Sequence, residues 1–269
     1  MPLQPSSRRV VLITGAARRI GREIALQFAQ AGWDIAVHYG ASEQEAAATC
    51  GALSGHGAHA HAFACDLARP DAVAALADAV IQHFGRLDAV VNNAAVFEYD
   101  NVDSFNTDHL NQHLLPNLVA PVLLARALAR HVQARGIDPT GVVVNLLDQK
   151  LWNYNPDFFS YTLSKAALES ATTMLAQALA PALRVVGVAP GLTLISHLQT
   201  PEQFERAHKL SPLGQSSKPE DIASAVLFAA QNAAITGTTL LVDGGQHLMA
   251  FDRDFSMMNP SSSHDADTP

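Results

Sequence analysis

Val10-Val11-Leu12-Ile13-Thr14-Gly15-Ala16-Ala17-Arg18-Arg19-Ile20-Gly21 is the stretch on which the fold turns. Its apolar start shows no in/out alternation, as expected of a parallel strand covered on both faces. Gly15 permits a tight turn, and Gly21 lets the helix that follows approach the strand closely. A strand, a small-residue turn and a helix N-terminus together make an anion site. Backbone N–H groups and the helix dipole converge there, which suits a pyrophosphate. The plainer reading, a mere glycine-rich turn, is countered by position, because this is the first strand and the first helix.

Outward from this unit the same rhythm continues. Val10–Ile13, Asp34–Tyr39, Ala58–Cys65, Ala89–Val91, Val142–Leu147, Arg184–Ala189 and Thr239–Val242 read as seven strands. Ile20–Ala31, Glu43–Leu53, Val73–Phe84, Leu114–Val132, Phe158–Leu179 and Ile222–Ala230 carry helical periodicity between them. Gly32 marks a helix stop, Ser42 with Glu45 reads as a capping box, and Pro219 with two acids opens the last helix. The pattern predicts an α/β, Rossmann-type doubly wound sheet of seven parallel strands with helices on both faces, in a single domain over residues 9–250. Residues 1–8 read as a flexible N-terminus. Residues 193–217 interrupt the alternation beyond a strand's carboxyl end and read as a substrate lid containing a short helix. Residues 251–269 form a polar tail whose end is expected to be disordered.

Composition narrows the function classes. The 269 residues are 48% apolar and 16% charged, with a net charge of −8. Apolar material suffices for a large core, and the acidic balance argues against nucleic acid or anionic lipid as partner, leaving a small molecule. Arg8-Arg9 precedes an apolar run that ends at Thr14, too short for a signal-peptide core, and no stretch approaches the ~20 apolar residues of a membrane span. The expected location is therefore the cytoplasm. Cys50 and Cys65 read as free thiols in a reducing compartment.

At the end of the second strand, His38-Tyr39-Gly40-Ala41-Ser42 carries no acid. An Asp or Glu there would bind a ribose 2′-hydroxyl and repel a 2′-phosphate. Arg18 in the turn pairs well with a phosphate and Ser42 can donate a hydrogen bond, so NADP(H) is favoured over NAD(H). Tyr161 and Lys165 lie four residues apart on one helix face. An ammonium beside a phenol is expected to bring the phenol's pKa down toward the working pH.

These pieces stand in one order, and over roughly residues 9–250 the chain resembles the short-chain dehydrogenase/reductase family. The matches are Thr14-Gly15 to Gly21, Cys65-Asp66-Leu67, Asn92-Asn93-Ala94-Ala95, Asn117, Tyr161 with Lys165, Pro190-Gly191 and Asp243-Gly244-Gly245. The resemblance implies a cofactor site of Gly15, Arg18, Arg19, Ile20, Gly21, His38 and Ser42, with Asp66 and Leu67 framing the adenine. It further implies Asn93, Ala94 and Ala95 beside the cofactor, Pro190, Gly191 and Leu192 against the nicotinamide, and Tyr161 and Lys165 at its ribose. Asn117 supports a proton-relay water in that scheme, no metal is involved, and a homotetramer buries the long fourth and fifth helices.

Two departures sharpen the resemblance. Arg19 replaces the family's usual middle glycine, and Asp148 stands where a serine is usual, thirteen residues before Tyr161. Both, with His38-Tyr39, Asn117 to Ala120-Pro121 and Pro190-Gly191-Leu192, resemble the pteridine reductase subgroup. That resemblance implies hydride transfer to a C=N bond of a pterin or dihydropterin. Arg19 and Phe97 would then hold the heterocycle, and Asp148, Tyr161 and Lys165 would relay the proton. A serine suits a carbonyl substrate by donating to a developing alkoxide, whereas a ring nitrogen must gain a proton. Asp148, close to a phenol, is expected to resist ionisation and to titrate with it. The alternatives are an NADPH-dependent ketone or 3-oxoacyl reductase and a non-catalytic NADP-binding regulator. His56, His59 and His61 lack acidic or Cys partners for a metal, and His113, His131 and His247 read as packing or surface residues. Trp152, Tyr154, Phe158 and Phe159 line the pocket, pack in the core or meet a subunit.

Overall fold

The computed structural model describes residues 8–136, 141–196 and 198–258. One sheet runs through it in the order β3-β2-β1-β4-β5-β6-β7, every neighbouring pair parallel. The strands are β1 (Val10–Ile13), β2 (Asp34–Tyr39), β3 (Ala60–Ala64), β4 (Ala89–Asn92), β5 (Gly141–Leu146), β6 (Leu183–Pro190) and β7 (Thr239–Val242). The helices are α1 (Arg19–Gln30), α2 (Glu43–Ser54), α3 (Pro70–Phe84), α4 (Thr107–Leu114), α5 (Ala120–Arg135), α6 (Phe159–Leu179), α7 (Pro201–Lys209) and α8 (Pro219–Gln231). The Rossmann-type doubly wound reading is correct.

Strand residues divide with period two between two apolar cores. Val11 and Ile13 of β1 and Val142, Val144 and Leu146 of β5 face α1, α2 and α8. Val10, Leu12 and Val143 face α3, α5 and α6. Because both directions are apolar, the in/out signal vanishes from the sequence, and β1 and β5 are buried throughout. At roughly 1.5–3 kcal/mol for each fully buried large aliphatic or aromatic side chain, these two layers hold the strand ends in fixed positions. The chain reverses between β1 and β4, so the loops after those strands part and open a crevice at the carboxyl edge.

Three local expectations are corrected. The helix expected over Leu114–Val132 opens with a π-helical turn at Leu115–Val119 before α5, and α4, which leads into that turn, was not expected. Pro116 and Pro121 lack the N–H groups that an uninterrupted α-helical ladder would use there. Ser42 makes no side-chain capping bond, whereas Thr200 and Gln203 form a capping box on α7 inside the expected lid. The polar tail does not begin at 251 as a separate segment, since residues up to 258 pack on the domain. The expected flexible N-terminus, apart from Arg8, and the expected disordered end lie outside the described residues. Cys50 and Cys65 are free thiols. Among the described residues, no helix is long and apolar enough to cross a membrane.

Candidate active site

Along the carboxyl edge of the sheet runs a cleft of about 1010 Å³. Gly15, Arg18, Arg19, Ile20, Gly21, His38, Ser42, Asp66, Leu67, Asn93, Ala94, Ala95, Phe97, Asp148, Tyr161, Lys165, Pro190, Gly191 and Leu192 all line it. All but one of the expected site residues therefore lie in this wall. Asn117 is the exception.

The glycine turn is built to close tolerances. Gly15 has φ +65°, and a Cβ on Gly21 would lie 2.2 Å from the Gly15 carbonyl oxygen, so a side chain there would push α1 off the turn. Thr14 Oγ1 accepts the N–H groups of Asn93 and Ala94 at 2.9 and 3.0 Å, and Asn93 Nδ2 donates to the Thr14 carbonyl at 2.9 Å. This staple ties the turn to the end of β4. His38 is buried, and its Nδ1 accepts the Gly15 N–H at 3.0 Å. Its Nε2 lies 3.0 Å from the Cys65 carbonyl, to which it must donate when Nδ1 accepts. Burial lowers its pKa and favours the neutral ring that this arrangement requires. Both nitrogens are thereby engaged, so His38 shapes the cradle. Arg18 and Arg19 are exposed on the rim, and Arg19 Nη2 donates to the Ile195 carbonyl of the lid at 3.1 Å. Arg19 has φ +55°. It therefore occupies the left-handed conformation that the usual glycine would adopt without strain.

On the opposite side, α6 begins without a local side-chain cap, and Phe158 before it also has positive φ, +53°. Asp100 supplies the missing cap from the loop after β4, accepting the Ser160 N–H at 2.9 Å and the Ser160 hydroxyl. The first turns of α6 then present Tyr161 and Lys165 to the cleft. Asp148, just beyond β5, caps a 3-10 turn at Gln149–Trp152 by accepting the Lys150 N–H at 2.9 Å on Oδ1. Its Oδ2 accepts the Tyr161 hydroxyl at 2.8 Å. Lys165 Nζ donates to the Leu146 carbonyl at 2.7 Å and lies 5.8 Å from the Tyr161 ring centre.

The electrostatics depart from one expectation. Burial raises the pKa of Tyr161 well above 10, and the Asp148 carboxyl beside the hydroxyl raises it further. An ammonium-stabilised phenolate is therefore not what the geometry provides, because Lys165 is turned to a carbonyl and a carboxyl group faces the phenol. Asp148 itself resists ionisation, as expected, through burial. Lys165 is lowered to about 8, again by burial. Burial thus opposes ionisation of both Asp148 and Tyr161.

Asn117 lies in the π-helical turn away from the cleft wall. Its Oδ1 accepts the Val96 N–H at 2.8 Å, and its Nδ2 donates to the Val96 carbonyl at 3.0 Å and to Ser164 Oγ at 2.9 Å. It thus fixes the loop bearing Phe97 against α6. Phe97 stacks on Phe158 at 4.2 Å and meets Tyr161 edge-on at 4.7 Å. Phe158 is fully buried, Phe159 is partly buried, and Trp152 and Tyr154 are exposed; none of the four lines the cleft. His113, His131 and His247 accept or exchange hydrogen bonds with the fold at Glu98, Leu87 and Asp243 respectively. Sequence reading missed Gln149, Gln246, Asp254, Phe255 and Ser256. Gln149, Asp254, Phe255 and Ser256 line the cleft, and Gln246 Oε1 holds the Leu192 N–H at 2.8 Å. From the lid, Thr193, Leu194, Ser196 and Gln199 reach the wall.

Comparison with known proteins gives this geometry a family. Residues 15–247 match the family model described as Enoyl-(Acyl carrier protein) reductase. The solved structure of FolM alternative dihydrofolate reductase 1 from Brucella canis, complexed with NADP, is 38% identical with a TM-score of 0.83, covering 90% of this chain and 95% of that one. The corresponding Brucella suis protein in complex with NADP is 37% identical with a TM-score of 0.82, covering 90% and 96%. Among curated relatives, the 3-oxoacyl-[acyl-carrier-protein] reductase FabG of Staphylococcus aureus is 30% identical over 243 residues, covering 88% of this chain and 97% of its own. The chain belongs to the short-chain dehydrogenase/reductase family of oxidoreductases.

Proposed function

We propose that this protein uses NADPH to reduce a C=N bond of a pterin or dihydropterin. The observation that carries the reading is the 2.8 Å hydrogen bond between Tyr161 and a carboxyl group, Asp148, at the position where a serine is usual. The similarity to two FolM dihydrofolate reductases supports it.

The cradle fits the dinucleotide. A Cβ at Gly21 would fill the space beside the turn, and the end of β2 offers Gly40, Ala41 and Ser42 with no carboxylate. Gly15, Ile20 and Gly21 would hold the pyrophosphate, Arg18 and Ser42 the 2′-phosphate, and Asp66 and Leu67 the adenine. Asn93, Ala94, Ala95, Pro190, Gly191 and Leu192 would flank the nicotinamide end, with Lys165 at its ribose. Bound NADPH supplies the hydride.

The chain's own groups manage the proton and the ring. Phe158 covers one face of Phe97, which leaves the other for a flat heterocycle, with Arg19 at its polar edge. Tyr161, whose proton burial retains, donates at the substrate nitrogen. Asp148, whose ionisation the same burial opposes, restores that proton through the hydrogen bond the two share. We carry the homotetramer and the cytoplasmic location forward with this reading. Met174 on α6 and Phe228 on α8 are 67% and 51% exposed, surface that subunit contact would cover.

The FabG relative favours a second reading, carbonyl reduction with the same cofactor site. NADPH oxidation by purified protein with dihydrobiopterin and dihydrofolate, beside a panel of ketones and 3-oxoacyl esters, separates the two. Pterin turnover that falls about 10²–10⁴-fold in both Asp148→Ser and Tyr161→Phe is the expected result. Undiminished pterin turnover in Asp148→Ser, or turnover of carbonyls alone, would overturn it.

A further inference from the structure

From Phe251 to Met258 the chain forms a strap that reaches the wall of the cleft. Its anchor is Asp157, which is only 2% exposed. Oδ2 of Asp157 accepts Arg253 Nε at 2.8 Å and the Asp254 N–H at 2.8 Å. Oδ1 accepts Arg253 Nη2 at 2.8 Å and the Tyr99 hydroxyl at 3.3 Å. The paired Arg253 bonds form a two-pronged fork, the strongest geometry a guanidinium and carboxylate can adopt. Beyond it, Asp254, Phe255 and Ser256 line the same cleft as Asp148 and Tyr161.

A second tie runs inward. Lys150, 3% exposed, extends its Nζ to the Asp157 carbonyl at 2.5 Å and to Asp254 Oδ2 at 3.3 Å. The backbone N–H of the same lysine holds Asp148 Oδ1. The strap and the Asp148 carboxyl are therefore linked through one residue. Removing Asp254 would leave a buried ammonium without its carboxylate, and Lys150 would have to move.

We propose that Phe251–Met258, latched by Arg253 to Asp157, is a fixed wall of the substrate compartment, and that Asp254 and Lys150 are positioning residues for the Asp148 carboxyl. The positioning part rests on Asp148 and Tyr161 acting as the proton relay; the wall does not depend on which substrate is reduced.

The charged and titratable groups around the relay are few. Tyr161 and Lys165 face Asp148 from α6, Lys150 from the 3-10 turn and Asp254 from the strap, while His113 of α4 stands 6.4 Å from the Tyr161 ring. Asp157, Arg253 and Tyr99 surround the base of Asp254. The Asp254 charge helps to keep protons on both Asp148 and Tyr161. Reduction requires the protonated relay, so activity falls as pH rises through its titration. Neutralising Asp254 moves that fall to lower pH.

The full-length protein and three variants test this. Arg253→Lys keeps the charge and the tryptic site but loses the fork, and Asp157→Asn weakens the anchor. Both should speed tryptic cleavage after Arg253, followed as loss of residues 254–269 by intact mass. Both should also raise KM about tenfold for whichever substrate the protein reduces, with NADPH affinity unchanged. Asp254→Asn should shift the alkaline fall of kcat to lower pH. Cleavage after Arg253 as fast in the parent protein as in the variants would overturn the latch. So would a KM unchanged in Arg253→Lys, or a parallel loss of NADPH affinity, which would mark general unfolding. An unshifted pH profile in Asp254→Asn would overturn the positioning role. Turnover of carbonyls alone would refute the pterin reading and leave these measurements intact.

Discussion

Asp88 and Asp148 lie at opposite ends of the sheet, one immediately before β4 and the other shortly after β5, and they hold their protons in opposite ways. Burial pushes the Asp88 carboxyl up, but hydrogen bonds from Arg86, Arg135 and the Val10 N–H outweigh it and hold the pKa below the usual range. Asp148 receives the Lys150 N–H and the Tyr161 hydroxyl, with Lys150 Nζ directed elsewhere, and burial prevails. One end of the sheet has an ionised carboxylate that ties three segments together. The other has a carboxyl group whose ionisation burial opposes. The difference lies in the number of cationic donors within hydrogen-bond reach, and it separates the structural end of the fold from the reactive end.

The largest effect that would sharpen this contrast is catalytic. Asp148→Asn is expected to reduce pterin turnover about 10²–10⁴-fold, measured by NADPH oxidation, because an amide cannot pass on a proton. Asp88→Asn should leave the chemistry intact and cost about 2–4 kcal/mol in denaturant unfolding, since Arg86, Arg135 and Val10 lose a charged partner. Its pH dependence has a definite sign. The stability Asp88 contributes is fully present above the unfolded carboxylate range near about 4 and is lost as pH falls through its depressed folded value. In Asp88→Asn the acid limb of the stability curve should therefore flatten. Asp148→Asn should act oppositely on stability, raising Tm by about 2–4 °C, because a carboxyl whose folded pKa is raised costs the fold once pH rises above the unfolded value near about 4. Equal destabilisation by both substitutions would break the comparison. The smallest effect is Arg135→Ala, about 0.5–1 kcal/mol, since its side chain is 37% exposed and Arg86 remains on Asp88.

Legibility followed locality. The turn from Thr14 to Gly21, Tyr161 with Lys165, and the seven strands were readable because each depends on neighbours in sequence. Asp148 was readable too, through its fixed distance from Tyr161. α4 was missed because Thr107–Leu114 is largely polar, and the π-helical turn because apolar periodicity runs on through Pro116. His38 was placed correctly in the wall, but its bonds to Gly15 and Cys65 cross strands and leave no sequence trace. The polar ladder from Asn92 to Asn145 to Thr172, at 2.8 and 2.9 Å, joins β4, β5 and α6 and is likewise silent in one dimension. The strap was hidden by composition: a polar stretch reads as solvated unless its partners, here Asp157 and Lys150, are already known.

Among the described residues, the non-glycine positions with a left-handed backbone are Arg19, on the rim of the cleft, and Phe158, buried behind Phe97. Conformations of this kind cost on the order of 1–3 kcal/mol each. At exposed Arg19 a selection for heat resistance alone should therefore enrich glycine, whereas at Phe158 the cavity left by a fully buried ring would cost more than the strain relieved. Each winner at position 19 would lose the guanidinium at the rim. Thermal hardiness and the proposed grip on a flat ligand would then be traded against each other at that site, and only a library sorted for both properties would keep them together.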